Sequence, residues 1–327
     1  MTRSTLKIAT TLLAGGLLLA ACGGSDSATD EPAAAGDSAS AKGKTVCFVT
    51  AAAAHFYVTP FNETVEEEAK TAGVKLNVLS AEFDVQKGAE QLNQCVSQKA
   101  DVIMLWPLDP AAYIPGLNRA KNASIPVVLV NSPMTDEALK LLTTFTGPDT
   151  YTQGKTSAES MTKALGGSGG NVVVLAGQAG NGTTIGRTDG FVDAIGDNIK
   201  VLATVNADFD QQKALIASRD LLTKYGEKID GVYAQDDAMA IGFASAYKEA
   251  GISKKMVLLG IGGNKEAFEL IKAGDMYGTI LQSPSEDGRL AIQTAVKILE
   301  GEKVEKRLPL EMPVVTPDTI DGLEPGF

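Results

Sequence analysis

From residue 45 onward, short apolar runs alternate with stretches of helical spacing. The pattern predicts strands at 45–50, 75–79, 102–105 and 126–130, separated by helices at 60–73, 86–99 and 109–123. After Gly147-Pro148 the cycle begins again. Strands are predicted at 171–175, 200–206, 231–234, 256–260 and 279–281, with helices at 152–165, 186–196, 211–225, 236–250 and 265–273. A long helix at 286–299 and an extended run at 308–315 close the chain. Runs rich in Val, Ile and Leu without polar alternation suit strands buried on both faces of a parallel sheet. The repeating order predicts an α/β protein of two doubly wound parallel-sheet lobes joined by a three-crossing hinge, with crossings near Gly147-Pro148, Gln282 to Pro284 and Glu311 to Pro313. In such sheets ligands sit beyond the carboxyl ends of the strands, so the residues just after each strand are the ones to inspect.

The first 22 residues follow another rule. Arg3 and Lys7 precede an apolar run from Ile8 to Ala21 that is too short to span a bilayer comfortably, and small residues follow. This is the pattern of an export signal. Leu19-Ala20-Ala21-Cys22 resembles a bacterial lipobox, which implies acylation of Cys22 as the first residue of the mature protein. The next twenty or so residues are Gly, Ser, Ala, Asp and Thr with no apolar period, the composition of a flexible tether. The expected organisation is a signal at 1–21, a tether at 22–43, a first lobe from 44–147 plus 284–311, and a second from 148–283 plus 312–327. The expected location is outside the cytoplasm, on the bacterial cell membrane through lipid.

Of 29 Lys and Arg, removal of Arg3 and Lys7 leaves 27 against 40 Asp and Glu, a net charge of −13. That surface argues against nucleic acid or anionic lipid as a partner. His55 is the only histidine, so a Ser-His-Asp triad or a histidine-rich metal site must use it or not exist. Neither H-E-x-x-H, C-x-x-C nor G-x-S-x-G occurs. No enzyme, metal or cofactor is expected. Gly180, Gly182 and Gly186 mimic a dinucleotide fingerprint, but the third glycine is one residue too far on and no acid follows at the ribose position. Cys47, in a strand-like run, and Cys95, in the helix that should pack nearby, are placed for a disulfide or for two buried free thiols.

Several segments resemble the periplasmic ribose-binding protein and its sugar-binding relatives in ABC importers, over about residues 45–316. The most specific is Asn206-Ala-Asp-Phe-Asp-Gln-Gln-Lys-Ala, followed by Gly231-Val-Tyr-Ala-Gln-Asp-Asp-Ala-Met-Ala-Ile-Gly. Phe56-Tyr57, Ile125-Pro-Val-Val before Asn131-Ser132, Gly186-Arg-Thr-Asp-Gly-Phe191 and Thr279-Ile-Leu-Gln-Ser-Pro284 support it. DNA-binding regulators share this fold but carry a helix-turn-helix where this chain has its export signal. The resemblance implies a type I periplasmic binding fold. It also implies a pocket in which Phe56, Tyr57 and Phe209 stack on a sugar ring, Arg187 binds its oxygens and Gln282 lies at the hinge edge.

The departures are informative. Asn131-Ser132 stands where ribose binders have Asp-Arg, Trp106 and Asp236 each replace an asparagine, and Gly262 replaces an aspartate. They point away from ribose while keeping the class. Trp106 precedes Pro107 at a strand end, Arg187 is expected at a helix start, Asp236 or Asp237 is expected to cap a helix, and His55 either touches the ligand or sits at the entrance. Among these positions Arg187 is the only cation and Asp236 the only acid, which favours a neutral sugar or polyol. The expected function is capture of that solute by a monomer that delivers it to an ABC permease. The alternative is a receptor presenting the same ligand to a sensor kinase.

Overall fold

The computed structural model describes residues 40–166 and 168–327; Cys22 and the segment expected to be an export signal lie outside the described residues. The first lobe begins with β1 (Thr45–Thr50), α1 (Val58–Ala72), β2 (Lys75–Ser80), α2 (Val85–Ser97) and β3 (Val102–Leu105). It continues with α3 (Ile114–Asn122), β4 (Val127–Val130), α4 (Asp136–Leu139) and β5 (Thr144–Gly147). The second contains α5 (Thr150–Ala164), β6 (Gly170–Ala176), α6 (Gly182–Ala194), β7 (Ile199–Asn206), α7 (Gln211–Tyr225) and β8 (Gly231–Ala234). Then come α8 (Asp237–Ala250), β9 (Val257–Gly262), α9 (Lys265–Ala273) and β10 (Gly278–Leu281). The chain returns to the first lobe for α10 (Pro284–Leu299) and β11 (Arg307–Pro309), then ends on the second with β12 (Val314–Val315).

The sheets have matching orders, β11-β5-β4-β3-β1-β2 and β12-β10-β9-β8-β6-β7. The first is parallel throughout. In the second, β12 runs antiparallel to β10 at the edge. Successive side chains of β1 enter cores on opposite faces, Val46 and Phe48 on one and Cys47 and Val49 on the other. Val173 and Leu175 of β6 part from Val172 and Val174 in the same way. Both faces of each sheet are thus covered, which is why the strands read as continuous apolar runs. Cys47 of β1 and Cys95 of α2 are joined by a disulfide with Cα atoms 5.7 Å apart, buried in one of these cores.

The three-crossing hinge is present, between β5 and α5, β10 and α10, and β11 and β12. It is laced by backbone bonds from Leu310 N to Gly147 O and from Leu281 N to Pro313 O.

Several boundaries differ from the sequence expectation, each for a local reason. Residues 22–39 of the expected tether lie outside the described residues, while its last residues pack on the first lobe: Ala41 is buried in the first core and Gly43 N bonds Gly73 O. Asp109 Oδ1 accepts from Ala111 N and Ala112 N in a turn, which postpones α3 to Ile114. Asn181 caps α6 through Thr183 N and starts it at Gly182. Arg187 therefore lies in the second turn, not at the helix start. The extended run at 308–315 is two short strands in different sheets. β5, Thr-Phe-Thr-Gly, shows alternation rather than an apolar run, although all four residues are buried.

Candidate functional site

The carboxyl ends of both sheets face a cavity of about 330 Å³ between the lobes. All ten residues singled out from the sequence line it: His55, Phe56, Tyr57, Trp106, Asn131, Ser132, Arg187, Phe209, Asp236 and Gln282. Each stands just after a strand except Arg187, which reaches in from α6.

Arg187 is 6% exposed and dominates the second lobe's side. Its Nε donates to Gln153 Oε1 at 2.9 Å, Nη1 to the Gln235 carbonyl and Nη2 to Gln282 Oε1 at 3.0 Å. These acceptors are all neutral, so the charge is oriented but not neutralised by them. Burial lowers its pKa, while the nearby tyrosines and acids act in the opposite direction. These bonds engage three of the guanidinium's five N–H groups.

Asp236 divides its carboxylate between two tasks. Oδ1 caps α8 by accepting from Met239 N at 2.8 Å. Oδ2 is buried without a partner in a residue that lines the cavity. Burial pushes the carboxyl up to about 7, against the opposing pull of the cap and of Arg187. The next residue, Asp237, turns away: it accepts from Thr279 Oγ1 and from the backbone N–H groups of Gly263 and Asn264. Gly262 lines the cavity at φ 142°, a backbone angle that disfavours any side chain.

Polar groups of both lobes meet through Gln282. Its Oε1 accepts from Arg187 and from Gln153 Nε2 (2.7 Å), and its Nε2 donates to Tyr57 Oη. Tyr57 in turn donates to Asp287 Oδ2 at 3.0 Å, and Asn131 Nδ2 donates to the same oxygen at 2.7 Å. Asp287 is fully buried on α10, and burial raises its carboxyl to about 7. Tyr57, raised well above its ordinary value by burial and by the Asp287 charge, stays protonated as the donor. Ser132 Oγ shares a 2.7 Å hydrogen bond with Thr183 Oγ1 across the cleft. A Cβ at Gly182 would lie 2.2 Å from the Pro133 carbonyl, so glycine there lets the lobes approach.

Tyr57 also belongs to an aromatic wall. Phe61 packs edge-on against Trp106, Trp106 against Tyr57, and Phe327 lies against both Tyr57 and Phe56. His55 packs against Phe56 at a tilt of 40°, with centroids 4.2 Å apart, and meets Phe83 edge-on. Burial lowers the His55 pKa, while a hydrogen bond with the Phe209 backbone and the charge of Asp210 raise it.

The sequence reading missed Phe83, Asn181, Thr183 and Gln178 among the lining residues, and Asp287 behind them. It also passed over Asp208, Asp210 and Lys213, although all three lie in the quoted Asn206 segment. Arg187 and Asp236 are therefore not the only charges: the lining holds two cations and three acids, with Lys213 paired to Asp208 at 2.8 Å. No cluster of His, Cys, Asp and Glu suited to a metal occurs among the described residues.

Residues 46–303 match the periplasmic binding protein domain family. The chain belongs to that family. Among its relatives, the xylitol-binding protein of Mycolicibacterium smegmatis is 30% identical over 267 residues, covering 81% of this chain and 75% of that one. The ribose import binding protein of Haemophilus influenzae is 30% identical over 284 residues, covering 86% and 94%. Among solved structures, a galactofuranose binding protein superposes with a TM-score of 0.78 at 25% identity, over 84% of this chain and 95% of that one. An ABC transporter solute binding protein from Mycobacterium smegmatis with bound glycerol gives 0.78 at 28%, over 85% and 95%. As a periplasmic binding protein, the chain binds solute and is not an enzyme.

Proposed function

We propose that the protein captures a neutral sugar or polyol between its lobes and delivers it to an ABC permease, tethered to the membrane by lipid on Cys22. One observation carries the ligand class: the unpartnered Asp236 Oδ2 and the incompletely used Arg187 guanidinium share a cavity with an aromatic wall. A hydroxyl can donate to the carboxylate while its neighbour accepts from the guanidinium, and the C–H face of a sugar or polyol packs on the rings. The cavity has no excess of positive charge to hold a phosphate or dicarboxylate, because its acids outnumber its cations. The ligands of these similar proteins, xylitol, ribose and glycerol, are of the same chemical kind.

Binding and closure are the whole mechanism. Ligand joins aromatics of the first lobe to Arg187, Phe209 and Asp236 of the second, and thereby stabilises the closed arrangement by contacts that only the bound solute completes. The membrane part of the proposal rests on the Leu19-Ala20-Ala21-Cys22 sequence. A thermal-shift screen with ribose, allose, xylitol, myo-inositol and glycerol, beside their phosphorylated counterparts, tests the ligand class. Stabilisation by a neutral compound is expected; stabilisation by the phosphorylated ones alone would refute it.

A further inference from the structure

Two seven-residue segments of the chain repeat each other, Ala81-Glu82-Phe83-Asp84-Val85-Gln86-Lys87 and Ala207-Asp208-Phe209-Asp210-Gln211-Gln212-Lys213. They occupy equivalent places in the lobes. The first follows β2, the edge strand beside β1, and the second follows β7, the edge strand beside β6. Ala81 N bonds the last carbonyl of β1, at Thr50, as Ala207 N bonds that of β6, at Ala176. Asp84 and Asp210 each cap the next helix, accepting from Lys87 N and Lys213 N.

The backbone repeats as well. Glu82 and Phe83 have φ of 54° and 57°, and Asp208 and Phe209 have 57° and 58°. Two consecutive residues with side chains in the left-handed region are costly, and this chain has them in both lobes. In each lobe the result is a phenyl ring at the same cavity, since Phe83 and Phe209 both line it. Backbone strain retained at a cleft is a reason to look for a task there.

The two rings are seated differently, and the cause is one residue. Phe209 lies on Gly177, where a Cβ would come within 1.9 Å of the ring's Cζ. The equivalent position after β1 is Ala51. Its methyl denies Phe83 the same seat. Phe83 instead stays 40% exposed at the mouth, edge-on to His55 with centroids 5.3 Å apart. Phe209 is the aromatic that the family resemblance assigns to the ligand, whereas that resemblance assigns no role to Phe83.

We propose that Phe83 is a further ligand-binding residue, the first lobe's counterpart of Phe209, which covers the outer face of bound solute and slows its escape. This rests on the reading of the cleft as a sugar or polyol site. Covering an exposed phenyl with a C–H face removes apolar surface from water, a gain available only with ligand in place. Losing the ring therefore acts on dissociation more than on encounter.

The test uses Trp106, the only tryptophan of the chain and part of the cavity lining. In the ligand-free full chain, Phe83→Ala should raise acrylamide quenching of Trp106 by opening the mouth. Stopped-flow release of whichever of ribose, allose, xylitol or myo-inositol binds the wild type should be about tenfold faster in Phe83→Ala, with the association rate little changed. A variant with wild-type quenching, or with wild-type release of a bound solute, overturns the proposal. Should the wild type bind none of the four and not glycerol either, the sugar or polyol reading fails by itself, and quenching alone decides whether Phe83 covers the cavity.

Discussion

Gln282 Nε2 donates a 2.6 Å hydrogen bond to the hydroxyl of Tyr57. Gln282 lies where the chain leaves the second lobe and Tyr57 follows the first strand of the first, so this bond spans the hinge. Arg187 and Gln153 extend it on one side, Asp287 and Asn131 on the other. Rotation of the lobes must stretch or exchange it. Tyr57→Phe removes the shared hydroxyl, leaving the Gln282 donor without its acceptor and Asp287 with one donor fewer. The expected loss is about 1–3 kcal/mol of folding stability. Urea unfolding of the ligand-free protein reads it, and a variant as stable as wild type would show that the bond does not tie the lobes.

Stability of the ligand-free protein should fall as pH rises through the carboxyl window. Burial raises Asp236 and Asp287 from 3.8 to about 7, and Asp237 to about 6. Between these values the folded state holds protons that the unfolded chain has released. The slope of unfolding free energy with pH follows protons bound unfolded minus protons bound folded, which here is negative. Thermal midpoints should therefore climb as pH is lowered from about 8 toward about 5, with Asp236→Asn and Asp287→Asn each flattening the profile. Midpoints that drop steadily over that interval would contradict the burial of these groups.

Ligand affinity should respond with the opposite sign. A hydroxyl donating to Asp236 Oδ2 favours the ionised carboxylate, because hydrogen bonds to charged acceptors are the stronger ones. Binding near neutral pH should then release protons, and affinity should weaken as pH falls below about 7. Calorimetry in buffers of different ionisation enthalpy measures the proton count directly. Proton uptake on binding would rule out an ionised Asp236 in the complex.

Cys47 and Cys95 close a loop with a sequence separation of 48. Replacing both by Ser should lower stability by roughly 2–4 kcal/mol, chiefly by freeing the unfolded chain. Denaturation with and without reductant checks this. Insensitivity of the wild type to reductant, with the disulfide verified as broken, would assign the stability elsewhere.

The lobes were legible because apolar runs such as Val102 to Leu105 have only one comfortable home, the middle of a two-sided parallel sheet. β5 was not, because its Thr144 and Thr146 are polar in sequence yet buried, their hydroxyls donating to the carbonyls of Glu305 and Leu129. The pocket residues were legible where a segment resembled the family and stood after a strand. Asp287 gave no such sign: an acid in the first turn of a helix is expected from the dipole alone, and only tertiary packing makes it the acceptor of Tyr57 and Asn131. Phe83 had a signal that went unread, the echo of Ala81-Glu82-Phe83-Asp84 in Ala207-Asp208-Phe209-Asp210.

The proposed anchoring rests on one residue, Cys22 of Leu19-Ala20-Ala21-Cys22. Cys22→Ser should release or mislocalise the protein in its native host. Mass spectrometry of the mature form decides the matter: an acylated Cys22 is expected, and an unmodified terminus downstream of it would end the lipoprotein reading.

The most direct test of the central claim is calorimetric titration of the neutral sugar or polyol that the screen selects. It should be applied to wild type, Arg187→Ala and Asp236→Ala. The account predicts measurable binding by the wild type and a loss of about 2–4 kcal/mol in each variant, as for truncation of one member of a buried charged set. Tight binding only to a charged solute, or variants that bind the neutral one as well as wild type does, would contradict it.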